Sequence, residues 1–110
     1  MQKICFIGKN GSGKTAYVRH LLGVQEEPYM ATLGCDVHPI GNKTVWDMGY
    51  GKFGGLCEGY MIGSRLALSF PREGNYAKDY EKMARQHDIR VICMPPNVGY
   101  EEWDRIFNGL

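Results

Sequence analysis

The stretch GKNGSGKT, residues 8–15, decides how the whole chain is interpreted. It matches the pattern G-x-x-x-x-G-K-[ST] completely, and it lies between a short apolar run and a helix-like segment, as that pattern requires. Its glycines let the backbone curl so that successive N–H groups face inward at a helix N-terminus, which makes a concave site for anions. The stretch therefore predicts a phosphate loop, and the structural alternative is a glycine-rich turn that caps a helix by chance.

The pattern also gives roles to individual side chains. Lys14 is expected to reach the β- and γ-phosphates of a nucleotide, and the Thr15 hydroxyl is expected to ligate Mg²⁺. Asp47 ends a strand-like run, and ligands of open α/β sheets bind beyond the carboxyl ends of the strands. It is therefore a second metal-ligand candidate, acting through water, with a turn aspartate as the alternative. The remaining nucleotide-binding candidates in the loop are Lys9, Asn10, Gly11, Ser12, Gly13 and Ala16.

Hydrophobic patterns around the loop predict alternating strands and helices. Strands are predicted at residues 2–7, 34–40, 43–47, 65–70 and 89–94, and helices at 15–22, 54–62, 75–87 and 101–108. Gly41 and Asn42 form a two-residue connection that predicts a tight hairpin. Since crossover helices separate most strands, the fold class is α/β, with a mostly parallel sheet of about five strands covered on both faces. Residues 1–110 are expected to form one domain.

Helical spacing predicts which side chains face the core. The predicted inward-facing side chains are Tyr17, Val18, Leu21 and Leu22 on the first helix, Tyr76, Tyr80, Met83, Ala84 and His87 on the third, and Trp103, Ile106 and Phe107 on the last. The charges of residues 78–88 are expected to form a solvated face. His20, His38 and His87 show no metal-ligand spacing and are interpreted as structural or surface residues.

Composition excludes several classes of function. The net charge of +1 gives no electrostatic reason to expect binding to nucleic acid or to an anionic membrane. No apolar run is long enough for a bilayer span, and the first residues lack a signal-peptide pattern. Three of the four cysteines lie in apolar strand-like runs, and no two form a CxxC pair. We expect buried, reduced thiols and a cytoplasmic or nuclear location.

Several segments resemble the Ran-type small GTPases of the Ras superfamily. These are GSGKT with the following VRHLLG, YMATLGCDVHPI at residues 29–40, and VWDMGYGKFGGLCEGYMI at residues 45–62. The resemblance is close over residues 1–62 and holds only in outline beyond them. It implies a small GTPase fold that binds GTP or GDP with Mg²⁺, with Thr15, Thr32 and Asp47 around the metal, and with Thr32 also sensing the γ-phosphate. It also implies Gly49 as a nucleotide-binding residue, and nuclear-transport receptors or Ran regulators as partners.

The sequence departs from that family in its predicted catalytic residues. The family reads D-x-x-G-Q in switch II, beginning at the metal carboxylate, whereas here Gly49 follows Asp47 after one residue and Tyr50 takes the place of the glutamine. Tyrosine lacks the paired amide donor and acceptor that orient the attacking water. Tyr50 is expected either to cover the phosphates or to pack as an aromatic. Asn10 replaces a glycine of the family and would crowd the γ-phosphate, so hydrolysis is expected to be slow or absent.

Further departures concern the base and the end of the chain. The guanine-reading N-K-x-D motif should follow strand 89–94, but the chain has Pro96-Asn97-Val98-Gly99 there, which weakens the expected guanine specificity. A last strand and a long C-terminal helix of the family are missing. We expect the edge of strand 89–94 to be exposed or covered by helix 101–108, and the protein to be a monomer, with a homodimer across that edge as the alternative.

Three functions are therefore compatible with the sequence. The first is a reduced Ran-like GTPase homologue with weak or defective hydrolysis. The second is a non-catalytic Ran mimic that competes for nuclear-transport partners, and the third is a small P-loop ATPase or kinase. The third lacks support because neither lid arginines nor an acceptor site can be recognised.

Overall fold

Strands and helices alternate along the chain in the order that the sequence predicts. The computed structural model describes residues 1–24, 34–51 and 57–110, with only the backbone of residue 57. The described elements are β1 (Gln2–Gly8), α1 (Lys14–Leu22), β2 (Cys35–Ile40), β3 (Lys43–Met48), α2 (Cys57–Met61), β4 (Leu66–Phe70), α3 (Lys78–Gln86), β5 (Arg90–Cys93) and α4 (Tyr100–Asn108).

The strands form one sheet in the order β2-β3-β1-β4-β5. Strand β1 lies in the centre and is parallel to both β3 and β4, and β5 extends the parallel part beyond β4. Strand β2 pairs antiparallel with β3 through the predicted hairpin, in which Gly41 has a φ of 62°. The carboxyl ends of the four parallel strands therefore lie along one edge of the sheet, as predicted for an α/β protein.

One face of the sheet packs against α1 and α4. The ring of Tyr17 on α1 meets Trp103 of α4 edge-to-face, with 5.3 Å between ring centroids, and Phe6 and Phe107 complete the aromatic cluster. The predicted core positions Trp103 and Phe107 are confirmed, because both side chains are buried. The prediction for Leu22 was wrong, since that side chain is 38% exposed at the end of α1. Strand β5 is the outer strand of the sheet on the side away from the hairpin.

The other face packs against α2 and α3, and it contains an unexpected charge. Tyr80 and Ala84 are buried there as predicted. Glu81 was predicted to be solvated, but it is 1% exposed and accepts a hydrogen bond of 2.6 Å from the Ser69 hydroxyl. The helical period explains this, because residue 81 lies four positions after Ala77 and three before Ala84, which both face the sheet.

Helix boundaries also differ from the prediction. Helix α3 begins at Lys78 rather than at residue 75, because Arg72 and Asn75 pair with each other in a tight turn. Helix α2 begins at residue 57, and the predicted start at residue 54 lies outside the described residues. None of the described helices is long and apolar enough to cross a bilayer.

The cysteines are less buried than predicted. Cys5 is buried in the central strand, but Cys35 is half-buried and Cys93 is exposed, and all three are free thiols. The reason is their position at the ends of the two outer strands, where one side of the backbone has no neighbouring strand. The side chain of the fourth cysteine lies outside the described residues.

Candidate functional site

The phosphate loop, residues 8–15, connects the central strand to α1 through a tight curl of the backbone. The Ser12 N–H donates to the Lys9 carbonyl at 3.0 Å, and Gly13 precedes the helix with a left-handed φ of 87°. Gly8 is required by space, because a Cβ at this position would lie 2.7 Å from the Ser12 hydroxyl and 3.1 Å from the Phe70 carbonyl. Gly11 and Gly13 thus have the left-handed conformations of a curled loop, whereas the steric requirement for Gly8 was not predicted.

The loop and the first turn of α1 enclose a small concave pocket of about 40 Å³. Lys9 and residues 11–16 line this pocket, which brings together the predicted loop residues except Asn10. The first turn of α1 has no side-chain cap and no acidic residue. Backbone N–H groups and the positive end of the helix dipole therefore favour an anion at this place.

Lys14, Thr15 and Asp47 meet beside the pocket. Lys14 Nζ lies 3.5 Å from Asp47 Oδ1, which is an ion pair rather than a short hydrogen bond, and both side chains are nearly inaccessible at 5% and 1% exposure. The Thr15 hydroxyl donates to Asp47 Oδ2 at 2.8 Å. Burial raises the pKa of Asp47, although Lys14 and Thr15 act in the opposite direction. The structure therefore holds a carboxylate in a place where a further cation would stabilise its charge.

A second carboxylate lies opposite the first. Asp36 of β2 is the cross-strand partner of Asp47 and also acts to raise the pKa of Asp47. Both side chains, together with Thr15, line a cavity of about 250 Å³ between α1 and the hairpin. Like charges at facing positions of a sheet are unfavourable unless a cation is present. Asp36 was not predicted, although the hairpin register indicates it, since residues 36 and 47 face each other across Gly41 and Asn42.

These residues fit Mg²⁺ in ligand chemistry. Mg²⁺ takes hard oxygen ligands, commonly one or two protein side chains with water and phosphate oxygens completing the shell. The Thr15 hydroxyl and the Asp47 carboxylate are adjacent oxygens of this kind, and Asp47 Oδ1 has no hydrogen-bond donor. In the described ranges, no group of three or more His, Cys, Asp or Glu side chains is arranged to hold a metal, so an all-protein metal cage is not present there.

Comparison with known proteins identifies the fold to which this site belongs. No family model matches the sequence. The chain is similar to a crystal structure of an NFeoB variant from S. thermophilus bound to GDP.AlF4-, with a TM-score of 0.52 and 17% sequence identity. The similarity covers 62% of this chain and 33% of the other, so this chain spans about a third of that protein's length. The chain has an α/β P-loop NTPase fold. The fold prediction is thereby confirmed. Asp47 at the sheet edge and the phosphate loop lie next to each other, as predicted.

In this P-loop fold, the residues after β3 point away from the loop. The N–H of Gly49, a residue that the resemblance implies in nucleotide binding, donates to the Gly34 carbonyl at 2.7 Å. The Tyr50 hydroxyl donates to Asp79 on α3 at 3.2 Å, and its ring lies 4.7 Å from that of Tyr80. Of the two roles predicted for Tyr50, the structure has the aromatic packing. The nucleotide-binding role of Gly49 stays a prediction.

Two further regions were predicted to belong to the site. Thr32, the expected second metal hydroxyl, lies outside the described residues. The segment Pro96–Gly99 follows β5 at the same edge of the sheet as the phosphate loop, with Asn97 in a left-handed conformation at a φ of 59°. The position fits a base-contacting loop, but the segment has no carboxylate to accept from a guanine edge.

His20 and His87 are exposed, so the surface interpretation of both is confirmed and the predicted inward face of His87 was wrong, whereas His38 is half-buried. His20 approaches Asp104 at 2.9 Å, and His87 approaches Glu58 at 2.7 Å, both through Nε2. Neither pair lies among the residues that line the loop pocket. The geometry gives His20 and His87 no role in the candidate site, whereas His38 lines the larger cavity together with Asp36 and Asp47.

Proposed function

We propose that this protein is a guanine-nucleotide-binding, Ran-like small GTPase homologue that holds GTP or GDP with Mg²⁺ and hydrolyses GTP slowly or not at all. The observation that carries the proposal is the meeting of Lys14, Thr15 and Asp47 beside the phosphate loop. This is the arrangement of one cation and two oxygen ligands that a Mg²⁺-nucleotide requires. The GDP.AlF4- in the similar structure supports a guanine nucleotide as the first ligand to test.

Each site residue has a defined task in this proposal. Backbone N–H groups of the loop would hold the phosphates, and Lys14 would turn its ammonium from Asp47 toward their negative charge. Thr15 would ligate Mg²⁺ directly, and Asp47 would hold it through water. When bound, Mg²⁺ neutralises phosphate charge and links the phosphates to both residues. The proposed metal role of Thr32 rests on the resemblance alone.

The contacts of the Tyr50 side chain support the proposed slow hydrolysis. Efficient GTP cleavage needs a side chain that orients water for in-line attack on the γ-phosphate. Tyr50 instead contacts Asp79 and Tyr80 on α3, on the sheet face opposite α1. Burial, together with Asp79, raises the pKa of Tyr50, so its hydroxyl stays protonated and cannot serve as a base at neutral pH. Partner proteins would then recognise which nucleotide is bound, and the protein itself would convert GTP to GDP only slowly.

The Ran-type assignment and its partners belong to the same proposal. Residues 29–40 and 45–62 would form the surfaces that change with nucleotide state, and nuclear-transport receptors or Ran regulators would recognise them. A cytoplasmic or nuclear location goes with these partners. The sequence resemblance supports this step, and it is independent of the nucleotide chemistry described above.

Nucleotide binding is tested by equilibrium titration with fluorescent GTP, GDP and ATP analogues, with and without Mg²⁺. We expect Mg²⁺-dependent binding of both guanine nucleotides, and loss of at least about tenfold in affinity for Lys14→Ala, since a charged contact is worth about 1.5–3 kcal/mol. Lys82→Ala, an exposed lysine on α3, is the matched control and should bind like the unaltered protein. Binding of ATP alone would replace the guanine assignment, and binding of none of the three would refute the proposal.

A further inference from the structure

Arg72 lies beside the phosphate loop because of the strand register. Strands β1 and β4 are parallel neighbours, with Gly8 paired to Phe70. Two residues further along each chain, Arg72 Nη1 donates a hydrogen bond of 3.0 Å to the Asn10 carbonyl. Its guanidinium also borders Gly11, where a Cβ would lie 3.5 Å from the Arg72 Nε. The arginine thus reaches the first half of the loop from the turn that follows β4.

A rigid turn fixes the backbone of Arg72. The Arg72 N–H donates to the Asn75 carbonyl at 2.7 Å, and the Asn75 N–H returns a bond of 2.8 Å to Arg72. The two residues between them are left-handed, with φ values of 51° for Glu73 and 80° for Gly74. A left-handed glutamate is conformationally unfavourable and persists where the surroundings impose it. The chain therefore accepts local strain in the turn that presents Arg72 to the loop.

Among the described residues, the Arg72 guanidinium uses little of its hydrogen-bonding capacity. Arginine has five N–H donors, and the bond to Asn10 uses one of them. Across residues 1–24, 34–51 and 57–110, no carboxylate forms an ion pair with Arg72, whereas Lys14 on the other side of the loop is paired with Asp47. A planar, permanently charged fork beside a phosphate loop suits bidentate contact with phosphate oxygens.

We propose that Arg72 binds the terminal phosphate of the nucleotide, as a cation that the protein supplies from its own β4 turn. The proposal rests on the proposed function and names a residue of the same site. The resemblance implies that Asn10 lies beside the γ-phosphate, and Arg72 donates a hydrogen bond to the carbonyl of that residue. Lys14 and Arg72 then approach the phosphate chain from two sides. The site consequently distinguishes a nucleoside triphosphate from a diphosphate by one additional charged contact.

The test compares two nucleotides on matched variants. The dissociation constants of Mg²⁺-GTPγS and Mg²⁺-GDP are measured for the unaltered protein and for Arg72→Ala and Arg72→Gln. The glutamine retains an N–H donor for the Asn10 carbonyl but has no charge. Arg65→Ala is the control, because Arg65 is an exposed arginine at the opposite end of the same strand. Melting temperatures of all variants show whether the turn still folds.

We expect both Arg72 variants to lose about tenfold in affinity for GTPγS and less than about threefold for GDP, since one charged contact to the terminal phosphate is removed. Arg65→Ala should change neither affinity. Equal losses for the two nucleotides would mean that Arg72 only shapes the loop, and unchanged affinities would mean that it touches no phosphate; either result overturns the inference. Failure of the unaltered protein to bind any nucleotide would refute the proposed function itself, and the inference with it.

Discussion

Replacing Lys14 with methionine tests the buried charge pair at the centre of the proposed site. The change keeps an unbranched side chain but removes the ammonium that lies 3.5 Å from Asp47 Oδ1. Because Asp47 is 1% exposed, its carboxylate would remain buried without the neighbouring positive charge. Removing one partner of a buried ion pair typically lowers the free energy of unfolding by about 3–5 kcal/mol.

Two features set the expected size of this loss. The Thr15 hydroxyl still donates its 2.8 Å hydrogen bond to Asp47, so the carboxylate keeps one partner. The carboxyl can also take up a proton, which at pH 7 costs about 4 kcal/mol for an ordinary pKa of about 3.9. Protonation therefore limits the loss, and we expect Lys14→Met to lower the free energy of unfolding by about 2–4 kcal/mol.

The pH dependence of this loss has a definite sign. Burial already raises the pKa of Asp47 in the folded protein, and removing Lys14 raises it further. A carboxyl whose folded pKa lies above its unfolded pKa binds more protons when folded, so folding is favoured as the pH falls. The difference between Lys14→Met and the unaltered protein should therefore shrink as the pH is lowered from 7 toward about 4.

Urea unfolding without nucleotide or Mg²⁺ measures these quantities. The double variant Lys14→Met, Asp47→Asn also removes the buried carboxylate charge that has lost its ion-pair partner. It should recover part of the stability, while nucleotide binding stays lost. Lys82→Met, at an exposed position of α3, should change stability by less than about 0.5 kcal/mol. If Lys14→Met is as stable as this control, or if its loss is independent of pH, the pair is not buried as described and the reasoning is wrong.

Three other substitutions test separate parts of the structure. Gly8→Ala places a methyl group 2.7 Å from a loop hydroxyl and should lower the free energy of unfolding by about 1–3 kcal/mol in urea titrations. Thr15→Ala should abolish the effect of EDTA on GTP affinity in binding titrations, because the hydroxyl beside Asp47 is the proposed direct metal ligand. Asp104→Asn should cost about 0.5–1 kcal/mol at neutral pH. Burial acts to raise the pKa of Asp104, but hydrogen bonds, the strongest of them from His20, outweigh burial and lower this pKa below its ordinary value. The stability cost of Asp104→Asn should therefore disappear as the pH falls through the pKa of Asp104 in the folded protein.

The parts of the fold that were predictable from sequence are encoded by local patterns. The phosphate loop, residues 8–15, needs particular residue types at fixed spacing, so it is recognisable without any tertiary information. The connection Gly41-Asn42 likewise sets a two-residue hairpin by itself. Crossover helices between apolar strands then imply a parallel sheet, which brings Asp47 to the edge where Lys14 and Thr15 lie.

The parts that were missed depend on relations between distant segments. Arg72 has no motif, and only the pairing of Gly8 with Phe70 places it beside the loop. Glu81 looks like a surface charge in the sequence, and its burial follows from the phase of α3 against the sheet. Tyr50 contacts α3 through Asp79, a partner 29 residues away that no local pattern identifies.

The distribution of charge at the site supports the proposal that phosphate and metal bind there together. Lys14 and Arg72 approach the loop from α1 and β4, whereas Asp36 and Asp47 lie on the hairpin side. An anion alone would leave the facing carboxylates repelling each other, and a cation alone would lie near Lys14. In the proposed complex, a Mg²⁺-nucleotide would place negative charge beside the cations and positive charge beside the carboxylates, so each half of the ligand would strengthen the binding of the other. The Thr15→Ala variant tests the metal half of the ligand separately from the phosphate half. It removes the hydroxyl that would bind the metal and leaves the charges of Lys14, Arg72, Asp36 and Asp47 in place.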